Sequence, residues 1–311
     1  MNALEVRNLS KSFGNLRAVD DVSFSVPEGS IFGLIGRNGA GKTTTIRMMM
    51  NIYLPDKGEV LLKGEKIGAG FKDKVGYLPE ERGLYKKMKV LETILYFAEL
   101  KGCQGTAVEK KALGYLERFQ LMDRKNSKIE DLSKGNQQKV QFITTILHEP
   151  DFLILDEPFS GLDPVNINTL KEIILELRKN GKVIILSTHL MDFAEKMCDH
   201  LAMIEKGKII LKGSLQEIKN RYQQKNVRID YEGDISFLKD NPAIEKIDDF
   251  GNSAGIRLKD ASHCKELLKT IVEHDVTVTK FVLNEITLQE IFIELAGNNA
   301  RGIETEDAYV K

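Results

Sequence analysis

Gly36-Arg37-Asn38-Gly39-Ala40-Gly41-Lys42-Thr43 decides how the rest of the chain reads. It fits the pattern GxxxxGK[ST], and its surroundings fit as well. The apolar stretch Ile31-Phe32-Gly33-Leu34-Ile35 precedes it and a helical stretch, 44–51, follows it. Glycines let the backbone wrap an anion so that its N–H groups point inward. The helix behind adds the positive end of its dipole. Gly36, Asn38, Gly39, Ala40, Gly41, Lys42, Thr43 and Thr44 are therefore the candidate phosphate-binding residues. Lys42 supplies a point charge for β- and γ-phosphates, and the Thr43 hydroxyl is a hard oxygen ligand for Mg²⁺.

A second apolar stretch, Phe152-Leu153-Ile154-Leu155, ends in Asp156 and Glu157. Successive side chains on a strand diverge, so the two acids take different tasks. Asp156 can hold Mg²⁺ through water. Glu157 can orient and polarise an attacking water as a general base. A third stretch, Val183-Ile184-Ile185-Leu186, is equally unbroken. Runs without alternation suit parallel strands covered on both faces. Helical stretches at 91–100, 107–120, 137–148 and 165–179 separate them, while 4–8 and 19–26 alternate. The pattern predicts an α/β domain over 1–219: a parallel sheet core, a small antiparallel β layer and helices.

The polar stretch 219–226, KNRYQQKN, breaks the pattern, and a linker is placed at 220–226. Strands at 227–231, 243–249, 256–259 and 276–283 then alternate with helices at 234–240 and 262–274. That order, βαββαβ, predicts a smaller α+β ferredoxin-like domain over 227–297. Its expected core is Val227, Ile229, Ile256, Leu258, Leu267, Leu268, Ile271, Val276 and Val278. A last helix opens at Thr287 with Glu290 three residues on, a capping box. Leu288, Ile291, Phe292 and Leu295 form its apolar stripe. This domain has neither a phosphate loop nor a catalytic acid pair, so regulation or dimer support is its expected role. A polar tail, 298–311, closes the chain.

Of 311 residues, 42% are hydrophobic and 29% charged, with a net charge of -1. Such a balance excludes a bulk electrostatic grip on nucleic acid. The absence of Trp disfavours a stacking platform. Cys103, Cys198 and Cys264 lack CxxC spacing, which excludes a disulfide framework or a zinc site and points to a reducing compartment. No signal peptide is read at the start, and no apolar run reaches the ~20 residues of a membrane span. Cys198 and Cys264 read as structural, His148 and His200 as surface or helix-end residues.

With these motifs in this order, residues 2–217 resemble an ABC-type ATPase, the nucleotide-binding subunit of a transporter. Leu132-Ser133-Lys134-Gly135-Asn136 resembles the signature motif LSGGQ, with Lys134 and Asn136 as departures. Ser160-Gly161-Leu162-Asp163 resembles the D-loop, His189 the switch histidine and Phe13 the aromatic that stacks on adenine. The resemblance implies that Glu157, His189 and Lys42 are catalytic. It implies that Ser133 and Gly135 face nucleotide held by an opposing subunit, that Asp163 binds nucleotide from between the two sites, and that Thr43, Glu80 and Asp156 hold Mg²⁺. Glu80 stands where the family usually has Gln, which adds a charge beside the phosphates.

The stretch 80–88 and the C-terminal extension are similar to ATP-binding subunits of bacterial exporters of the drug-resistance and sodium-efflux kind. That implies ATP hydrolysis by a head-to-tail homodimer, or by this chain with a paired nucleotide-binding subunit, each with a helical subdomain, bound peripherally at the cytoplasmic face of the membrane to a separate integral permease. Residues 80–98, with Leu84, Tyr85 and Met88, are then the expected groove for a permease helix. The alternative is a non-transport ABC ATPase acting on nucleic acid or the ribosome. Such proteins commonly carry two ATPase halves, coiled coils or basic extensions. This chain has one half, no sustained heptads and no basic tail, so no nucleic-acid partner is expected.

Overall fold

The unbroken apolar runs become the inner strands of a parallel sheet. In the structure, a computed structural model describing residues 2–68, 71, 75–222, 226–274, 276–283 and 287–300, β3 (Ile31–Ile35) and β7 (Phe152–Asp156) are buried at every position. They belong to a six-stranded sheet with β6 (Val75–Leu78), β8 (Val183–Thr188), β9 (His200–Glu205) and β10 (Lys208–Ser214). Its order is β10-β9-β3-β8-β7-β6, parallel except for the β9–β10 hairpin.

The expected antiparallel layer is present and larger than its two alternating segments. β1 (Asn2–Phe13) pairs with β2 (Leu16–Pro27) and β4 (Lys57–Leu62), and β5 (Glu65–Lys66) adds an edge. One core joins it to the parallel sheet, with Leu4, Val6 and Phe24 packed among Phe32, Ile154 and Ile185. Phe24 stacks on Phe32 at 4.9 Å between ring centroids. Helix α1 (Lys42–Met49) follows β3 directly, so the phosphate loop lies between a buried strand and a helix.

Helices α2 (Val90–Leu100), α3 (Thr106–Arg118) and α4 (Lys134–Ile146) form the expected helical region between β6 and β7. α4 begins three residues before its expected start at 137, because Ser133 caps it by accepting from the Asn136 N–H at 3.3 Å. α5 (Pro164–Lys179) and α6 (Met191–Met197) flank β8, and α7 (Leu215–Arg221) follows β10.

Cys198 ends α6 fully packed, and burial pushes its thiol up to about 12. Cys103 is half-buried. In the folded chain at pH 8, iodoacetamide is expected to label Cys103 well before Cys198, read by peptide mass spectrometry. Equal rates would contradict this packing.

The chain divides into two compact units between Leu215 and Gln216. In the second, β11 (Asn226–Glu232), β12 (Ile244–Asp249), β13 (Ser253–Leu258) and β14 (Thr277–Leu283) form an antiparallel sheet in the order β12-β13-β11-β14. Two local expectations fail. The stretch 234–240 forms only a 3-10 turn at Ser236–Asp240, too short to repeat a helical face. Leu268 is 38% exposed, whereas Leu267 and Ile271 on α8 (Cys264–Glu273) are buried. Neighbours on a helix point about 100° apart, so a residue next to the i, i+4 pair turns outward. Tyr231, Ile235 and Leu238 fill the core instead.

Helix α9 (Leu288–Ala300) has the expected reciprocal cap. The Thr287 N–H donates to Glu290 Oε2 at 2.8 Å and the Glu290 N–H to Thr287 Oγ1 at 3.2 Å. Leu288, Ile291, Phe292 and Leu295 are all buried within the single chain. Residues 223–225 of the expected linker and 301–311 of the expected tail lie outside the described residues.

Candidate functional site

The phosphate loop turns into α1 at Gly41, which has φ +110°; a Cβ there would sit 2.6 Å from the Ala18 carbonyl oxygen. Only glycine avoids both problems. Lys42 is buried and folded back, donating to the Gly36 carbonyl at 2.8 Å and the Arg37 carbonyl at 3.2 Å. Its ammonium also stands 3.3 Å from Glu157 Oε1, both side chains under 10% exposed.

Asp156 and Glu157 part company as expected, by a different route. Asp156 ends β7, but Glu157 has φ +48°, a left-handed backbone costly for a non-glycine residue. The Ser187 carbonyl anchors that turn, accepting from the Glu157 N–H at 3.1 Å. Both acids are thereby buried at one strand end. Glu157 Oε2 meets His189 Nδ1 at 3.0 Å. The Ser187 hydroxyl donates to Asp156 Oδ1. Asp156 Oδ2 is buried with no hydrogen-bond partner. Burial pushes the Asp156 carboxyl above the ordinary carboxylate range, opposed by the Ser187 and Thr43 hydroxyls beside it.

One cavity of about 620 Å³ is lined by Phe13, Asn38, Gly39, Gly41, Lys42, Thr43, Thr44, Glu80 and Glu157. Phe13 is 44% exposed and meets Tyr53 edge-on, with 5.5 Å between centroids. Sequence reading missed Arg17 and Lys206 on the same wall. Lys206 comes from the β9–β10 turn, whose Gly207 N–H donates to the Ala40 carbonyl at 2.9 Å. No local pattern could have revealed a turn 166 positions downstream of Ala40 as part of the cavity. Such a cavity can take an anion of high charge density with an aromatic face at one end. An orphaned carboxylate oxygen beside a threonine hydroxyl also suits a hard divalent cation. Among the described residues no three His, Cys, Asp or Glu cluster as a metal cage.

Ser133, Gly135 and Asp163 are not in that cavity's lining. Ser133 and Asp163 are exposed and cap α4 and α5. The two caps are packed together: a Cβ on Gly135 would lie 2.8 Å from the Gly161 carbonyl oxygen. Gln138 Nε2 donates to the Pro158 carbonyl at 3.2 Å, tying α4 to the loop after β7. The two helix N-termini thus open on a surface separate from the cavity lining.

A groove of about 360 Å³ lies between β6, the loop after it, α2 and α4, with Leu84 and Phe97 in its walls. Of the three residues expected there, only Leu84 lines it. Met88 lies in a neighbouring depression, and Tyr85 is 52% exposed, packed on Tyr96 and Phe97.

Residues 19–160 match the family described as ABC transporter, and residues 213–296 match the one described as ATP-binding protein DrrA1-3-like, C-terminal domain. The uncharacterized ABC transporter ATP-binding protein YhaQ of Bacillus subtilis is 42% identical over 294 residues, covering 94% of this chain and 98% of that one. The Nod factor export ATP-binding protein I of Ralstonia nicotianae is 31% identical over 304 residues, covering 96% and 95%. A solved structure of the ATP binding subunit of an ABC transporter superposes with TM-score 0.66 at 34% identity, covering 71% of this chain and 93% of that one.

Proposed function

This chain belongs to the ABC transporter ATP-binding proteins, an ATP-hydrolysing family, and from that premise we propose that two copies, head to tail, hydrolyse ATP to drive a separate membrane permease in export. The observation that carries the dimer is the divided site. Phosphate-loop residues, Glu80 and Glu157 line one cavity, with Asp156 buried beside Glu157, while the capped helix N-termini at Ser133 and Asp163 open elsewhere. A second copy turned end to end would bring each set to the other's nucleotide. Export rests on likeness to relatives such as the Nod factor export protein. No helix of the described residues is long and apolar enough to cross a membrane, so a permease must supply the path.

In each site the phosphate-loop N–H groups and Lys42 hold the β- and γ-phosphates, and Phe13 packs on the base. Glu157 accepts a proton from the attacking water, and His189 holds Glu157 in place while reaching toward the γ-phosphate. Ser133, Gly135 and Asp163 face the partner's nucleotide. Thr43, Asp156 and Glu80 would hold Mg²⁺, which neutralises charge on the phosphate oxygens.

A raised carboxyl such as Asp156 contributes stability that is full below its ordinary range and is lost as pH rises through its folded value. At pH 7 without nucleotide or Mg²⁺, Asp156→Asn is therefore expected to melt above wild type, yet to bind Mg²⁺–ATP more weakly. Thermal melts between pH 4 and 8 and nucleotide titration check this; a variant that melts lower at pH 7 would contradict it.

Transport itself is tested at the groove. Leu84→Asp is expected to abolish substrate movement in vesicles with the permease and to leave ATPase activity of the isolated subunit nearly unchanged. Full transport by this variant would overturn the groove as the docking site.

A further inference from the structure

We infer that Gln141 is a positioning residue: from α4 it pins the backbone that carries Glu80, and so holds that carboxylate in place for Mg²⁺. This rests on the reading of Glu80 as a Mg²⁺ ligand. Glu80 needs such a hold. β6 pairs with β7 as far as Leu78, and Pro79 has no N–H with which to carry the ladder on. Among the described residues, no backbone-to-backbone hydrogen bond ties 79–84 to another segment. Glu80 is exposed on this stretch, in the wall of the cavity that Thr43 and Glu157 also line. Mg²⁺ demands near-ideal octahedral geometry, so a loosely placed carboxylate serves it poorly.

One buried amide supplies the hold. Gln141 is 4% exposed. Its Nε2 has two hydrogens to give. It donates to the Pro79 carbonyl at 3.3 Å and to the Glu81 carbonyl at 3.1 Å. These carbonyls lie on either side of Glu80, so the backbone there is fixed at two points from a helix. Gln138, three residues earlier on the same helix face, is also buried and donates to the Pro158 carbonyl beside Glu157. α4 thus holds both loops that bring an acid to the cavity wall. A second tie on the Glu80 loop, from Arg47 to Glu81 Oε1 at 3.2 Å, ends on a side chain 84% exposed, where water weakens it.

Stability does not account for this glutamine. Its Oε1 is buried with no partner, a cost that an apolar side chain of similar length would not carry. The amide cannot turn over to relieve it, because Oε1 would then face two carbonyl oxygens. A side chain that bears this penalty while its donors serve a single loop fits a task in geometry.

The test dialyses the full chain to equilibrium with the non-hydrolysable ATP analogue AMP-PNP, once with Mg²⁺ and once with EDTA. The readout is the gain in affinity that Mg²⁺ brings. In Gln141→Met that gain should fall roughly tenfold, with the affinity in EDTA and the melting temperature close to wild type. Gln141→Asn keeps the amide but falls one methylene short, and should show the same loss. In a Glu80→Ala background neither change should lower the gain further, because the carboxylate they position is gone. A full Mg²⁺ gain in Gln141→Met and Gln141→Asn, with or without a lower melting temperature, overturns the positioning role and leaves Glu80 standing as a ligand. A further loss on top of Glu80→Ala does the same. A full gain in Glu80→Ala itself overturns the Glu80 reading, and the inference with it.

Discussion

Glu157→Gln keeps ATP bound and cuts hydrolysis by roughly 10²–10⁴-fold, the loss expected when a positioned general base is removed. Glutamine preserves the shape and can still hydrogen-bond His189, which lies 3.0 Å from Glu157 Oε2. It cannot take a proton from water. The change also removes the carboxylate that faces Lys42 at 3.3 Å. The buried cation then loses its nearest carboxylate and keeps the two carbonyl oxygens, so the nucleotide-free variant should melt below wild type. Phosphates restore the missing charge, and ATP should raise the melting temperature of the variant more than that of wild type. Phosphate release and paired melts measure both effects. Turnover near wild type would remove the base role from Glu157.

Lys42→Ala acts earlier, on binding. Hydrogen bonds to charged groups are worth about 1.5–3 kcal/mol, so ATP affinity should fall roughly ten- to a hundredfold. Lys42 bonds to the Gly36 and Arg37 carbonyls of the loop itself. Alanine frees those carbonyls and leaves Glu157 buried with His189 as its remaining polar side-chain partner. The variant should therefore lose stability as well as affinity, in contrast to Glu157→Gln, where affinity survives. Equilibrium dialysis with ATP separates the two; unchanged affinity in Lys42→Ala would exclude Lys42 from the phosphate site.

The parallel sheet was legible because buried strands write themselves as short unbroken apolar runs, as at Ile31–Ile35 and Phe152–Leu155. The phosphate loop was legible because its strand, glycines and helix are contiguous. Contacts between distant segments were not. Lys206 reaches the cavity through a hairpin turn, and Lys101, Gln141 and His148 meet in a groove assembled from separate helix ends and loops. His148 read as a surface or helix-end residue; nothing in its neighbours revealed that both its ring nitrogens would be buried. Glu157 read as a strand residue whose side chain diverges from Asp156 by alternation. The left-handed turn that does this instead depends on Ser187 of the adjacent strand, which local sequence cannot express. In the smaller unit, Leu268 was counted with Leu267 and Ile271 because apolar character alone does not resolve the direction of adjacent helical residues.

Head-to-tail assembly makes a prediction that no arrangement with self-contained sites shares. Two chains are made in the Glu157→Gln background, which holds ATP without turnover: one carries Lys42→Ala, the other Ser133→Arg. Each alone with ATP should stay monomeric, since both of its composite sites contain a lesion. Mixed, they can form a dimer in which one site contains both lesions and the other contains neither. Light scattering with ATP and Mg²⁺ measures the outcome. A dimer that appears only in the mixture is the predicted result. Equal loss of ATP-dependent dimerisation in the mixture and in each chain alone would contradict it.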